Sequence, residues 1–308
     1  MLHRFSKNVL VLLALVGLFS SCDKDKDAES ATSITILGSD YANFVKVGSK
    51  ATYKTLDNSK INSFPVTGEN QVWDLKAYEM SNATTLTNRD NLPVPSGTSF
   101  TSATFVRTQQ SEFISDFTFT EFYEMSDEGY YRIGIKVDAG TANLGNGITL
   151  TSTGDENPLT PKDLRFKFPM TYNTVNNNEA VLREGYKLTA PALGLSNAPV
   201  ERKLTYPTKS EVVGWGKVLL PQGAITASTE VLVVKSTETV IANYFLNGNT
   251  APAALLGGLG LIENEKNTNI FYYFISKEFG IVADFVFEAD ENGNAIFPAI
   301  DATYTVSR

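Results

Sequence analysis

The chain carries one histidine, His3, and one cysteine, Cys22, both near its N-terminus. Everything beyond Cys22 must work without imidazole or thiol. No Ser-His-Asp or Cys-His relay can form there. No zinc, copper, haem or iron–sulfur site can draw on His or Cys ligands. What remains is the chemistry of Asp, Glu, Ser, Thr, Tyr and Lys. Paired carboxylates could hydrolyse a glycoside. Glu112, Asp116 and Glu124 share one face of an alternating segment. A catalytic pair usually comes from different strand ends, however, and antiparallel sheets commonly leave one face in water. A solvated strand face is therefore expected. Asp290, Asn292 and Asn294 in DENGN offer oxygen ligands at alternate positions. The segment lacks the glycine and the closing glutamate of an EF-hand loop and reads as a turn. The sequence assigns no catalytic residue, no metal ligand and no cofactor.

The elements that must position these residues read as strands. Gln109 to Met125 alternates, with Phe113, Phe117, Phe119, Tyr123 and Met125 on one face, and SDEG (Ser126 to Gly129) turns the chain. Tyr131, Ile133, Ile135 and Val137 alternate on the return strand. Further alternation covers Thr229 to Tyr244, Ile270 to Ser276 and Ile281 to Glu288, and Asn292 to Asn294 closes a hairpin toward Ile296 and Phe297. Most windows are rich in Thr, Val, Phe and Tyr, which suit a pleated surface. Ala251 to Glu263 is the one helical candidate, and its three glycines make an apolar loop the better reading. The predicted fold is all-β: antiparallel hairpins forming a sandwich or a curved half-barrel sheet, with few helices. Pro158 to Asp163 (PLTPKD) is the best candidate boundary between two halves of residues 34–308.

Binding residues are sought among aromatic and apolar groups. A curved sheet lined by aromatics and covered by apolar loops can hold a hydrophobic ligand or a glycan. Tyr272 lies in FYYF, aromatic on both faces, so that strand is either buried on both sides or lines a cavity. Leu255 and Leu256 sit in an apolar loop that would act as a lid, and Ala190 to Leu195 forms another. Trp73 follows a glycine turn and suits a core anchor whose indole N–H finds a carbonyl. Gly214 and Gly216 flank Trp215, a pattern of close backbone approach. A binding-platform role for either tryptophan competes with core use. A large apolar cavity beneath the loops would favour ligand binding. Two facing carboxylates in a cleft would favour a glycosidase, and a filled core would favour a purely structural component. With net charge −8 and no cluster of Lys and Arg, nucleic acid is not an expected partner.

The N-terminus reads as an address. His3, Arg4 and Lys7 precede an unbroken apolar run, Val9 to Phe19, and two small residues. This is the layout of a secretory signal peptide, residues 1–21. Eleven residues at ~1.5 Å each give ~16 Å, half of a ~30 Å hydrocarbon core and too short to span it. LFSSC resembles the lipobox of bacterial lipoproteins, although Phe19 stands where leucine is usual. That resemblance implies cleavage before Cys22, acylation of Cys22, and anchoring to the outer membrane, on its periplasmic face or the cell surface. Two or more acyl chains make such an anchor stable. DKDKDAESATS has the composition of a disordered tether, residues 22–33. Its acidic start also resembles the export tag of surface lipoproteins in the Bacteroidota.

Three further patterns resemble a group of secreted proteins and lipoproteins of the Bacteroidota. They are GENQVWDL (Gly68 to Leu75), LRFKFPMTYN (Leu164 to Asn173) and GWGKVLLPQGAITASTEVLVVKSTET (Gly214 to Thr239). The group's motifs carry no assigned chemistry, so the resemblance implies a fold and no active site. The expected function is a lipid-anchored, non-catalytic envelope lipoprotein that binds a hydrophobic small molecule, a glycan or an envelope protein. A carboxylate-dependent glycoside hydrolase and a purely structural envelope component are the alternatives.

Overall fold

Alternation and turn chemistry divide the chain into hairpin-linked strands. The computed structural model describes residues 33–87, 90–110, 114 and 116–308; Cys22, the signal segment and almost all of the tether lie outside them. Among the described residues there are sixteen strands. The first eight are β1 (Thr52–Thr55), β2 (Gly68–Asp74), β3 (Thr85–Thr87), β4 (Phe105–Gln110), β5 (Thr118–Met125), β6 (Gly129–Val137), β7 (Gly140–Gly145) and β8 (Ile148–Ser152). The rest are β9 (Glu156–Lys167), β10 (Val175–Ala190), β11 (Leu195–Leu219), β12 (Ser228–Leu246), β13 (Asn249–Thr250), β14 (Glu265–Ser276), β15 (Gly280–Glu288) and β16 (Asp301–Ser307). Two short helices, α1 (Gly38–Ala42) and α2 (Ala253–Gly258), accompany them. Asn-Gly pairs at 146–147 and 247–248, all at positive φ, close β7–β8 and β12–β13.

The strands bond in the order β3-β1-β16-β15-β14-β12-β11-β10-β9-β6-β5-β4, with β2, β8 and β13 attached at the side and β7 on β8. The pairings are antiparallel except that of β2 with β11. The sheet is not closed into a barrel, so the all-β expectation holds. It folds back on itself instead. Phe105 (β4), Tyr123 (β5), Tyr130 (β6) and Phe166 (β9) pack in one core with Trp215 (β11), Leu232 and Val234 (β12) and Ile275 (β14). The two edges also converge on one loop. Leu92 bridges to Val106 of β4, and Asn91 exchanges backbone bonds with Gly48 and Ser49, just ahead of β1.

One row of side chains on β12 shows how the interior is built. Leu232 and Val234 enter the core just described. Ser236 and Glu238 follow, then Ala242 and Tyr244 enter a second core with Leu182, Tyr186 and Leu204. The opposite face of β12 sends Val231 and Val233 into a third core with Trp73, Tyr272, Phe274 and Phe287. Both faces of the central strands are thus covered, which is why they read as near-continuous apolar runs.

Four sequence expectations shift in the structure and a fifth holds. Gln109 to Met125 is not one strand: β4 ends at Gln110 and pairs back against Thr118, so the alternating run contains a chain reversal, tied by the Gln110 side-chain amide donating to the Phe117 carbonyl at 3.1 Å. Ala190 to Leu195, expected as a lid, is the tight end of the β10–β11 hairpin, with a 3-10 turn at Pro191–Leu193. Ala251 to Glu263 contains the short helix α2 despite its glycines. Pro158 to Asp163 falls inside β9, paired with β6. The Asn292–Asn294 turn does close a short hairpin, with Ala289 bridged to Ala295 and the Ile296 N–H donating to the Glu288 carbonyl at 2.7 Å, although Ile296 and Phe297 are exposed and the next full strand starts at Asp301.

Candidate functional site

Two cavities of different chemistry lie along the inner face. The first, termed the polar chamber for its buried charges, mixes charged and phenolic groups with apolar side chains, measures about 380 Å³, and is bounded by strands from both halves of the folded sheet together with α1. It sits where β12 places Glu238 between two apolar cores. Arg107, Arg132 and Arg165 line it with Glu121 and Glu238, and Asp163 stands buried behind them. Arg132 (β6) pairs with Glu121 (β5) at 3.2 Å and with Asp163 (β9) at 3.1 Å. Arg165 (β9) reaches Asp163 at 3.4 Å and grips both oxygens of Glu238 at 2.8 and 2.7 Å. The Tyr123 hydroxyl donates to Glu121 at 2.8 Å, and Ser236 donates to Glu238 at 3.2 Å. Asp163 is fully buried and Glu121 nearly so; such charges persist in an interior only when paired.

Arg107 (β4) stands apart from this network. Its Nε donates to the Asn91 side-chain oxygen at 2.8 Å, and its guanidinium lies 5.0 Å from the Tyr123 ring centroid and 5.3 Å from that of Phe105. Burial works against the charge on Arg107, Arg132 and Arg165, but the phenols and carboxylates around them outweigh it and raise all three above the ordinary arginine value. Burial pushes the phenols of Tyr41, Tyr123, Tyr130, Tyr206 and Tyr273 upward. At neutral pH the chamber therefore holds cationic arginines and neutral phenols. α1 closes one side: Tyr41 packs 5.5 Å from Phe166 and 5.9 Å from Tyr130. Gly38 lets the helix approach, since a Cβ there would sit 2.5 Å from the Ser126 carbonyl.

The second cavity is apolar, about 240 Å³. Leu255, Leu256, Leu259 and Leu261 of α2 and its exit face Leu144, Leu150, Leu188 and Val200 on the sheet. Its polar margin carries Arg202, which pairs with the buried Glu184 at 3.0 Å. Burial raises the Glu184 pKa, with Arg202 and Tyr186 opposing. Tyr186 and Tyr244 complete that end.

Of the residues singled out in the sequence, Leu255 and Leu256 meet at this apolar cavity. Trp73, Trp215 and Tyr272 are 6 %, 7 % and 2 % exposed, sit in cores and line neither cavity. The Trp73 indole N–H donates to the Val66 carbonyl at 2.9 Å, and its ring stands edge-on to Phe274 at 5.6 Å. Of the acids considered for catalysis, the two described ones have separate surroundings. Asp116 is exposed and Glu124 is paired with Lys162. Glu112 and Cys22 lie outside the described residues. Asp290 accepts from the backbone N–H groups of Asn292 and Asn294 in an exposed turn, which lower its pKa. No group of three candidate metal ligands occurs among the described residues.

The polar chamber escaped the sequence reading, although one signal was available. Glu121 lies on the same parity as Phe119 and Tyr123, and Glu238 on that of Leu232 and Ala242. A charge on the apolar side of a strand must find a partner inside. Comparisons with protein-family models, with curated proteins and with solved structures found no match.

Proposed function

We propose that this chain is a lipid-anchored envelope lipoprotein, of the Bacteroidota type its motifs resemble, and that its β-sheet body binds a small hydrophobic ligand without converting it. The observation that carries the binding reading is the apolar cavity under α2. A cavity of about 150 Å³ lined by aliphatic side chains is enough to hold benzene. The 240 Å³ here suits a somewhat larger body, such as a short acyl chain or a fused ring. Arg202, Tyr186 and Tyr244 at one end would orient a polar head, the usual division of labour in such pockets. The carboxylates of the polar chamber are already engaged by arginines, which favours holding over catalysis. The anchor rests on LFSSC and the charged spacer after it.

The test has two parts. Naphthalene and decanol, both neutral, are titrated calorimetrically into the protein and into Leu255→Trp. Leu255 is only partly buried, so the larger ring can enter the cavity without rebuilding a core. Binding with a negative heat-capacity change, weakened roughly tenfold or more in Leu255→Trp, is expected. Equal binding by both proteins would remove the cavity from the account. For the anchor, the intact mass of the N-terminal peptide and the membrane fractionation of Cys22→Ala are measured in a Gram-negative host. Diacylglyceryl on Cys22 is expected, and an unmodified soluble chain would refute it.

A further inference from the structure

The polar chamber has more donors than its own acceptors use. Its carboxylates are taken: Glu121 by Arg132 and Tyr123, Asp163 by Arg132 and Arg165, Glu238 by Arg165 and Ser236. Its donors are not. Arg107 has no carboxylate within ion-pair distance among the described residues, and its hydrogen bond to Asn91 engages Nε alone. Arg132 Nε is buried with no hydrogen-bond partner. The hydroxyls of Tyr41, Tyr130, Tyr206 and Tyr273 line the same cavity and bond no described residue. Among the described residues five cationic side chains line the chamber; Glu121, Glu238 and the Asp163 behind them answer Arg132 and Arg165, and Asp90 answers Lys50, which leaves Arg107 without a carboxylate in a chain whose net charge is −8.

We propose that this chamber is a second binding site, taking a small organic oxyanion, a carboxylate or phosphate on a body of monosaccharide size, with Arg107 as its anchor. An oxyanion brings acceptors only, which is what unpaired guanidinium and phenol donors need. The planar fork of arginine matches carboxylate and phosphate alike. A neutral sugar would leave the charge of Arg107 unanswered. An apolar guest would bury every free donor without a partner. The volume of about 380 Å³ lies in the range of small-molecule sites, roughly 300–1,000 Å³. The tyrosine and Phe166 rings supply flat walls for a ring-shaped body.

This site is independent of the apolar cavity, so the two can fail separately. Glucuronate, glucose 6-phosphate, inorganic phosphate and glucose are titrated calorimetrically into the full chain, Arg107→Gln and Tyr130→Phe. The expected result is that glucuronate or glucose 6-phosphate binds at least about tenfold more tightly than glucose. The better of the two identifies the oxyanion, and inorganic phosphate binding more weakly than glucose 6-phosphate shows that the body contributes. Arg107→Gln should weaken the anion roughly 10- to 100-fold, the range for hydrogen bonds to a charged group, while leaving naphthalene binding unchanged. Tyr130→Phe removes one hydroxyl and keeps the ring, so it reports even if Arg107→Gln fails to fold; a loss of about threefold or more is expected. Both anions binding no better than glucose, or undiminished anion binding by a folded Arg107→Gln or by Tyr130→Phe, would overturn the proposal.

Discussion

Gly216 offers the sharpest test of how the fold is assembled. β2 runs parallel to the end of β11, with Gly214 opposite Gly68 and Gly216 opposite Gln71. Gly216 has φ +152, and a Cβ there would collide with the Gln71 carbonyl oxygen, 2.5 Å from that residue's nitrogen and 2.8 Å from its carbonyl carbon. These are backbone atoms and cannot swing away. Gly216→Ala must therefore push β2 off β11 by an ångström or more, and β2 carries Trp73 into its core. A buried tryptophan covers about 200 Å², which at ~25 cal/mol per Å² corresponds to about 5 kcal/mol. Losing a third to a half of that, with about 1–2 kcal/mol for the backbone conformation, gives about 3–5 kcal/mol. Gly223→Ala is the control: its φ is +79, and nothing lies within 4 Å of the added Cβ. It should cost only the conformational part, about 1–2 kcal/mol. Urea unfolding of both variants, followed by tryptophan fluorescence, reads the difference. A gap below about 1 kcal/mol would refute the claim that β2 abuts Gly216.

Two further perturbations test the interior. Burial and the nearby Asp301 raise the Asp284 carboxyl to about 6, with the Thr303 hydroxyl opposing. Because the unfolded value is ~3.9, the native state holds this proton more tightly, so the group's contribution to stability falls as pH rises between ~4 and 6. Asp284→Asn should then raise stability at pH 7 by about 1–2 kcal/mol and flatten the pH dependence between pH ~4 and 6, read from urea midpoints; a loss of stability at pH 7 would contradict it. Arg165→Met strips Glu238 of its arginine and leaves Asp163 with Arg132 as its one cation beside the Asn178 amide, which should cost about 3–5 kcal/mol, whereas Arg165→Met with Glu238→Leu should recover part of that loss. A double variant as unstable as the single one would show that the pair is not the relevant unit.

How much was legible follows from strand parity. β12, β14 and β15 stand close to where alternation put them, because their apolar rows have few interruptions. The motifs also found a physical meaning. GENQVWD and GWG are neighbours, β2 lying against Gly214 and Gly216 of β11, so their glycines answer to one backbone contact. Trp73 and Trp215 default to core use once that contact forms. What could not be read is where parity breaks. β6 carries register shifts at Tyr130/Tyr131 and again at Arg132/Gly134, so Tyr130 and Arg132 face the chamber while Ile135 and Val137 enter the neighbouring core. A bulge of this kind exchanges the faces of a strand and leaves no mark in an apolar count. Leu255 and Leu256 were legible for the opposite reason: an oily segment between strands must be covered or cover something.

The polar interior is not accounted for by stability. Replacing a buried ion network with well-packed apolar residues is often neutral or stabilising, and the flanking stretches of β12 show what such packing looks like. Leu232 and Val234 on one side and Ala242 and Tyr244 on the other build ordinary cores. Continuing that pattern through Glu238 would have closed the interior. Instead three arginines converge there from β4, β6 and β9, with donors left over. From Val240, at the edge of the chamber, to Tyr244 in the aliphatic cavity is four residues, about 13 Å at ~3.3 Å per residue. The donor-rich chamber and the aliphatic cavity therefore lie along one strand as separate spaces, and the two proposed sites would present two recognition chemistries on one inner face.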